Sequence, residues 1–216
     1  MSVTEEWSAL LEVLEHAPSM SLSFRPAPAK SEVERAESLT AAVWPDQLRE
    51  FHTCHGGQSA DDFGVLLPMS ELFGLERMLE EHRMMVEISQ QWIEHDPESY
   101  SPNGAADLAG TEAGVFLSAY IPVGGADGWL FFCDTRPGPN NGCIRWWGKY
   151  EADPAGLSWP SIADMIRAVR VSIAGDSALI EFPGSAGWWP TNFDGNLTWN
   201  PGGPPDSEEA IPTDSP

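Results

Sequence analysis

Trp129-Leu130-Phe131-Phe132-Cys133-Asp134, then Arg136-Pro137-Gly138-Pro139-Asn140-Asn141-Gly142, then Cys143-Ile144-Arg145-Trp146-Trp147, decide the fold. Two apolar runs of strand length flank a stretch made almost wholly of turn formers, which predicts a pair of strands folded back on each other. Working backwards, Gly124-Gly125-Ala126-Asp127-Gly128 reads as a second turn. Before it, Val115 to Tyr120 reads as another strand, with Ile121-Pro122-Val123 leading out of it. Consecutive short strands joined by such turns predict an antiparallel sheet. If Asp134 lies opposite Cys143, then Cys133 lies opposite Ile144, and the two sulfurs point to opposite faces of the sheet. Buried free thiols are then expected, and only a slip of register would bring them together.

Helical patterns surround these strands. Ser2 and Glu5 have capping-box spacing, and Trp7, Leu10, Leu11 and Leu14 form one apolar stripe ending at Ala17-Pro18. Ser31 with Glu34 predicts a second helix reaching about Leu39. Trp44-Pro45-Asp46 opens a third, with Pro45 suited to the first helical position and Gly56-Gly57 stopping it. Phe63 to Leu67 reads as a short strand before Pro68. Ser70 is the expected cap of a long helix running through Leu72, Leu75, Met78, Met85 and Ile88 to His95-Asp96-Pro97. Ile162, Met165, Ile166, Val169 and Ile173 mark the apolar face of a last helix begun by Trp159-Pro160-Ser161.

Eleven Lys and Arg stand against 33 Asp and Glu in 216 residues, a formal net charge of −22. Such a surface repels phosphate backbones and anionic membranes, so nucleic-acid and membrane binding are not expected. A basic partner would be steered towards it, although acidity also serves solubility alone. Three cysteines form no disulfide framework, no apolar run reaches the roughly 20 residues of a membrane span, and Met1 to Glu6 is acidic where a signal peptide would be basic. A soluble cytoplasmic protein is expected. No Lys or Arg follows Arg170, and residues 201–216, rich in Pro, Gly, Ser and Glu, read as a disordered acidic tail.

Catalytic vocabulary is sparse. Nucleophile-elbow, zincin, Walker and Rossmann motifs are missing from the sequence. His52-Thr53-Cys54-His55 has the look of a metal cluster, but no second Cys or His pair stands at finger spacing. A helix end, where a histidine cation suits the dipole, is the structural reading. No metal and no cofactor are expected. Asp61, Asp62, Asp127 and Asp134 could be read as a two-metal carboxylate site, yet an Asp before Gly is ordinary turn chemistry. Ten tryptophans are many for this length. Trp146 and Trp147 must point to opposite faces of one strand. Trp188, Trp189 and Trp199 sit in a Gly/Pro-rich stretch, where they either anchor an interface or are buried by the stretch wrapping over the sheet.

The ordered set of features resembles the SUKH superfamily, the Smi/Knr-type domain of fungal cell-wall assembly regulators and bacterial toxin-immunity proteins. The residues that carry the resemblance are Trp7, Glu37, Trp44-Pro45, Gly56-Gly57, Pro122, the Asp127-Gly128 turn, Gly142 and Trp159. The family pattern of Leu-Pro and then Asn-Gly is here Trp44-Pro45 and His55-Gly56. The resemblance implies an α+β fold, an antiparallel sheet flanked by helices, spanning residues 1–175 with the N-terminal helix. Residues 176–200 then form a Trp-rich extension packed on that domain. It implies no enzyme activity. Bacterial members act as immunity proteins that neutralise a toxin domain, and fungal members act as regulatory scaffolds. The expected function is therefore a cytoplasmic protein-binding domain of the immunity type, monomeric or weakly dimeric, with a partner that could be a basic toxin. A scaffold is the alternative, and a hydrolase using Asp127, Asp134 and a divalent metal is the remote one. Partner-binding residues are expected at Asp61, Asp62, Asp127, Trp129 and Asp134, with Arg136 at the loop tip.

Overall fold

The computed structural model describes residues 1–17, 20–59, 63–100, 108–148, 157–175, 178–179 and 187–202. Helix α1 (Val3–His16) starts as expected. Ser2 Oγ accepts the Glu5 N–H at 3.2 Å and Glu5 Oε2 accepts the Ser2 N–H at 2.8 Å, so two otherwise unpaired donors are satisfied reciprocally. Helix α2 (Lys30–Thr40) begins earlier than the Ser31 cap predicts. Its first free donor, the Ala29 N–H, is taken by Glu32 at 2.7 Å, which places Ser31 inside the helix. Helix α3 (Asp46–Cys54) has Pro45 at its N-cap, with φ −59° and ψ 151°, rather than at the first helical position.

The chain leaves α3 through two glycines. At Gly57, φ is +92°, and a Cβ there would lie 2.3 Å from the Gly74 nitrogen. Two backbones cross here at a distance only glycine allows, and the crossing fixes where the next helix begins. Residues 63–67 are not a strand, contrary to the sequence reading. Leu66 and Leu67 are buried, and the chain reverses at Pro68-Met69, where Pro68 has no N–H for a ladder. Pairing begins only at β1 (Glu71–Leu72), and helix α4 (Leu75–His95) is capped by Gly74 instead of Ser70. A single turn, α5 (Pro97–Tyr100), follows.

Strand β2 (Tyr120–Ala126) begins where the expected 115–120 strand ends. Val115 and Phe116 are buried without a ladder, and the Phe116 N–H goes to Ser89 Oγ of α4 at 3.0 Å. Burial alone does not make a strand. Strands β3 (Trp129–Asp134) and β4 (Cys143–Trp147) have the predicted bounds and register: Cys133 opposes Ile144 and Asp134 opposes Cys143. Asp127 and Gly128, both at positive φ, make the tight β2–β3 turn, whose twist matches the strands. Helix α6 (Ile162–Ile173) is capped by Ser161, whose Oγ accepts the Asp164 N–H at 3.2 Å. A second hairpin, β5 (Trp188–Phe193) with β6 (Asn196–Pro201), closes the described chain.

The fold is α+β. The main sheet is antiparallel in the order β1-β2-β3-β4, and β5-β6 is a separate two-stranded sheet. Helix α4 packs on β2, while α6 packs on α1 and meets β4. Alternation sends Phe131 and Ile144 to one face, where Trp159 lies 5.4 Å from Phe131 ring to ring. Phe132 goes to the other face and stacks on Tyr120 at 4.2 Å. The small sheet is tied to the rest by Val65 N–H to Leu197 O at 2.8 Å and Trp199 Nε1–H to Val65 O at 2.9 Å. Of the tail expected to be disordered over residues 201–216, Pro201 ends β6 instead, and residues 203–216 lie outside the described residues.

A candidate protein-binding cleft

The charged residues singled out in the sequence separate into two groups. Asp61 and Asp62 lie outside the described residues. Asp134 is 0% exposed, and its carboxylate is fully engaged. It accepts Arg136 Nε–H at 2.9 Å, Arg136 Nη2–H at 2.6 Å and the Gly110 N–H at 2.9 Å. Arg145, also 0% exposed, stands 3.6 Å away and donates to Thr111 O at 2.9 Å and to the Tyr120 hydroxyl at 3.2 Å. Arg136 adds a bond to Thr111 O at 2.7 Å. Two guanidiniums and one carboxylate thus clamp the 108–111 loop to the end of the sheet. The expectation that Asp134 and Arg136 offer themselves to a partner is corrected: both point inwards, because the loop covers them.

Asp127 is exposed at the other end of β3. It lies in the turn before the first residue of the 6-residue β3 and Asp134 is the last residue of that strand, so about 20 Å of chain separates them. The two carboxylates therefore cannot share a metal ion, which removes the geometric basis of the hydrolase reading. Among the described residues no group of three or more His, Cys, Asp or Glu side chains could hold a metal.

His52 and His55 are core residues. Their rings pack against Trp44 at 5.4 Å and Trp7 at 4.6 Å respectively. Burial pushes the pKa of each down to about 3, so both are neutral, and the expected helix-end cation is absent. The Gly57 N–H donates to His55 Nδ1 at 2.9 Å. Glu37 is also structural. It takes Arg49 through two bonds of 2.7 Å and the Trp44 N–H at 2.9 Å, joining α2 to α3, and the Arg49 guanidinium holds its carboxyl below the usual range. Trp7, Trp44 and Trp159 are buried, Gly56 and Gly57 make the backbone crossing, Gly128 and Gly142 sit at positive φ in turns, and Pro122 lies in β2. Cys133 and Cys143 are free, on opposite faces of the sheet.

One surface feature is unlike the rest. Trp129 and Trp146 lie on the same face of β3 and β4, since Trp146 opposes Phe131, two residues along from Trp129. Their rings stack at 4.8 Å with 22° between planes. Gly148 leaves room for this, because a Cβ there would come 3.1 Å from Trp146 and 3.3 Å from Trp129. The sequence requirement that Trp146 and Trp147 diverge is met: Trp147 is buried and Trp146 is half-buried. Trp188 of β5 and the reversal at Pro68, Met69 and Ser70 complete a cleft of about 210 Å³. Met69 is 62% exposed at φ +52°, a left-handed conformation that costs a non-glycine residue about 1–2 kcal/mol. Of the predicted partner-binding set, only Trp129 lines this cleft, with Asp127 two residues before it. Pro68 and Ser70 read in the sequence as a strand end and a helix cap, and nothing marked them or Met69 for a cleft, because their place depends on a reversal first seen in the fold.

These features define a class: an α+β domain in which Asp134, Arg136 and Arg145 are consumed in the interior and an aromatic cleft marks the surface. The chain belongs to the SMI1 / KNR4 family (SUKH-1), whose family model matches residues 27–168. That span holds Pro68–Ser70, Trp129 and Trp146, while Trp188 lies beyond it. No curated protein matches the chain. Membership supports a non-catalytic SUKH-type domain. No helix among the described residues is long and apolar enough to cross a membrane.

Proposed function

We propose that the protein is a cytoplasmic, non-enzymatic binding domain of the immunity type, which neutralises a toxin domain by occupying its surface. The observation that carries this reading is the cleft of Trp129, Trp146, Trp188 and Met69. Trp is the residue type most enriched in interface hot spots, and exposed Met adapts to what it meets. The cleft's volume of about 210 Å³ is below the roughly 300–1,000 Å³ of small-molecule sites, so it suits one or two side chains of a macromolecular partner. A net charge of −22 favours a basic partner, whose encounter it would accelerate. Family membership is in keeping with protein–protein interaction.

The test is co-purification with the product of a neighbouring gene, at low and at high salt. A complex that forms at low salt and weakens at high salt supports the reading. A neighbouring toxin that shows no association at low salt contradicts it.

A further inference from the structure

We propose that the tryptophan cleft takes an arginine side chain of the partner, which makes the guanidinium the chemical group this surface reads. The inference rests on the binding function proposed above and specifies its ligand. Three observations meet here. The cleft is lined by the indoles of Trp129, Trp146 and Trp188, and among the described residues its lining holds no Lys or Arg. Asp127 is exposed at the hairpin tip, two residues before Trp129. The chain as a whole carries 33 acids against 11 bases, and two of those bases, Arg136 and Arg145, are buried with Asp134.

An aromatic wall attracts a cation lying over its face, most strongly when the wall is Trp. Arginine fits better than lysine, because its planar, weakly hydrated guanidinium stacks on an indole, whereas an ammonium keeps its water. Its three-methylene stem is apolar and lies along Pro68 and Met69, while the head sits over the indoles. A leucine or proline would fill the same volume but would gain nothing from the field of an acidic protein. A glutamate or phosphate would be repelled. The space admits one long side chain rather than a helix, so the recognised element is an arginine projecting from a loop or an extended segment.

The probe is the blocked tripeptide acetyl-Gly-Arg-Gly-amide, titrated into the intact chain while the indole N–H resonances are followed by NMR. Binding on the order of millimolar is expected, with the shifts confined to Trp129, Trp146 and Trp188. The citrulline peptide, equal in shape but uncharged, should bind about tenfold more weakly, and the leucine peptide should do no better. Trp146→Ala should abolish the shifts at Trp129 and Trp188. Because that variant could disturb the hairpin, Asp127→Asn serves as the surface control: it removes the charge, keeps a residue type that tolerates the left-handed turn position, and should weaken the arginine peptide several-fold while leaving the melting temperature unchanged. Equal binding of arginine and citrulline peptides, tighter binding of leucine, or no shift with arginine at 20-fold the expected constant each overturns the proposal. If the cleft proves essential for a toxin partner but ignores the arginine peptide, the binding function stands and only this inference fails. If a toxin partner binds equally well without Trp146, the binding function loses its site whatever the peptide does.

Discussion

Acid should unfold this protein through two histidines. His52 and His55 are buried among Trp7, Trp44 and Phe51, and both ring nitrogens of His52 lack a hydrogen-bond partner among the described residues. Burial lowers each pKa from 6.5 to about 3. In the unfolded chain both rings titrate near 6.5. Between about pH 6.5 and pH 3 the unfolded state therefore binds more protons than the folded one, and stability falls as pH falls. Each pH unit in that window removes about 1.4 kcal/mol per ring. From pH 6.5 to pH 4 the loss is about 3 kcal/mol per ring, or about 6 kcal/mol for both. That is comparable with the whole net stability of an ordinary domain, about 5–15 kcal/mol.

The perturbation is His52→Phe, which removes one titrating ring while keeping an aromatic of similar shape. Its stability at pH 7 depends on how the larger ring packs, so the quantity to compare is the slope with pH. Urea unfolding at pH 7, 6, 5 and 4 gives that slope for both proteins. The wild type should lose stability about twice as steeply as the variant over this range, once the shared contribution of carboxylates such as Glu37 is subtracted. Parallel profiles would refute the reasoning, since they would mean that His52 is hydrated or paired in the native protein.

Other outcomes follow from the same geometry. Asp134→Asn leaves two buried guanidiniums facing a neutral amide, and it should cost about 3–5 kcal/mol, read as a large fall in the urea midpoint. Glu37→Gln weakens the two-bond link to Arg49 at a half-exposed position, so a loss of about 1–2 kcal/mol and a fall of a few degrees in melting temperature are expected. Native protein treated with a thiol reagent at pH 8 should react first at Cys54, because burial pushes the Cys143 thiol up to about 12 and that of Cys133 far above its usual value. An intramolecular bridge between Cys133 and Cys143, seen by mass spectrometry of native protein, would contradict the register of β3 and β4.

How far the residues announce all this depends on the kind of signal. The β3–β4 hairpin was legible to the residue, because a turn dense in Pro, Gly and Asn separates two apolar runs and a period of two then fixes every face. That same parity places Trp146 and Trp147 on opposite sides. Val115-Phe116 and Leu66-Leu67 misled, since an apolar run reports burial and not pairing. The Ser70 cap was displaced by the glycine crossing, which joins Gly57 to Gly74 and has no local signature. Asp134 and Arg136 read as surface groups because they flank a turn. Nothing nearby in sequence reveals that Gly110 and Thr111 close over them. A signal was present all the same: with Asp134 opposite Cys143 and Phe132 opposite Arg145, the acid and Arg145 share one face of the sheet, a diagonal ion pair. The cleft was half legible. Trp129, Trp146 and Trp188 were visible as candidate anchors, but their meeting requires the start of β5 to come to the β3–β4 hairpin, which no local signal announces.

The most direct test of the central claim compares the wild type with Trp146→Ala in calorimetric titration against the partner that co-purifies with the wild type. If the tryptophan cleft anchors the partner, the variant, titrated at a temperature well below its own melting transition, should bind about 30-fold more weakly or worse, as expected for a hot-spot tryptophan worth at least about 2 kcal/mol. Equal affinity of the two proteins would place the binding surface elsewhere and contradict the account.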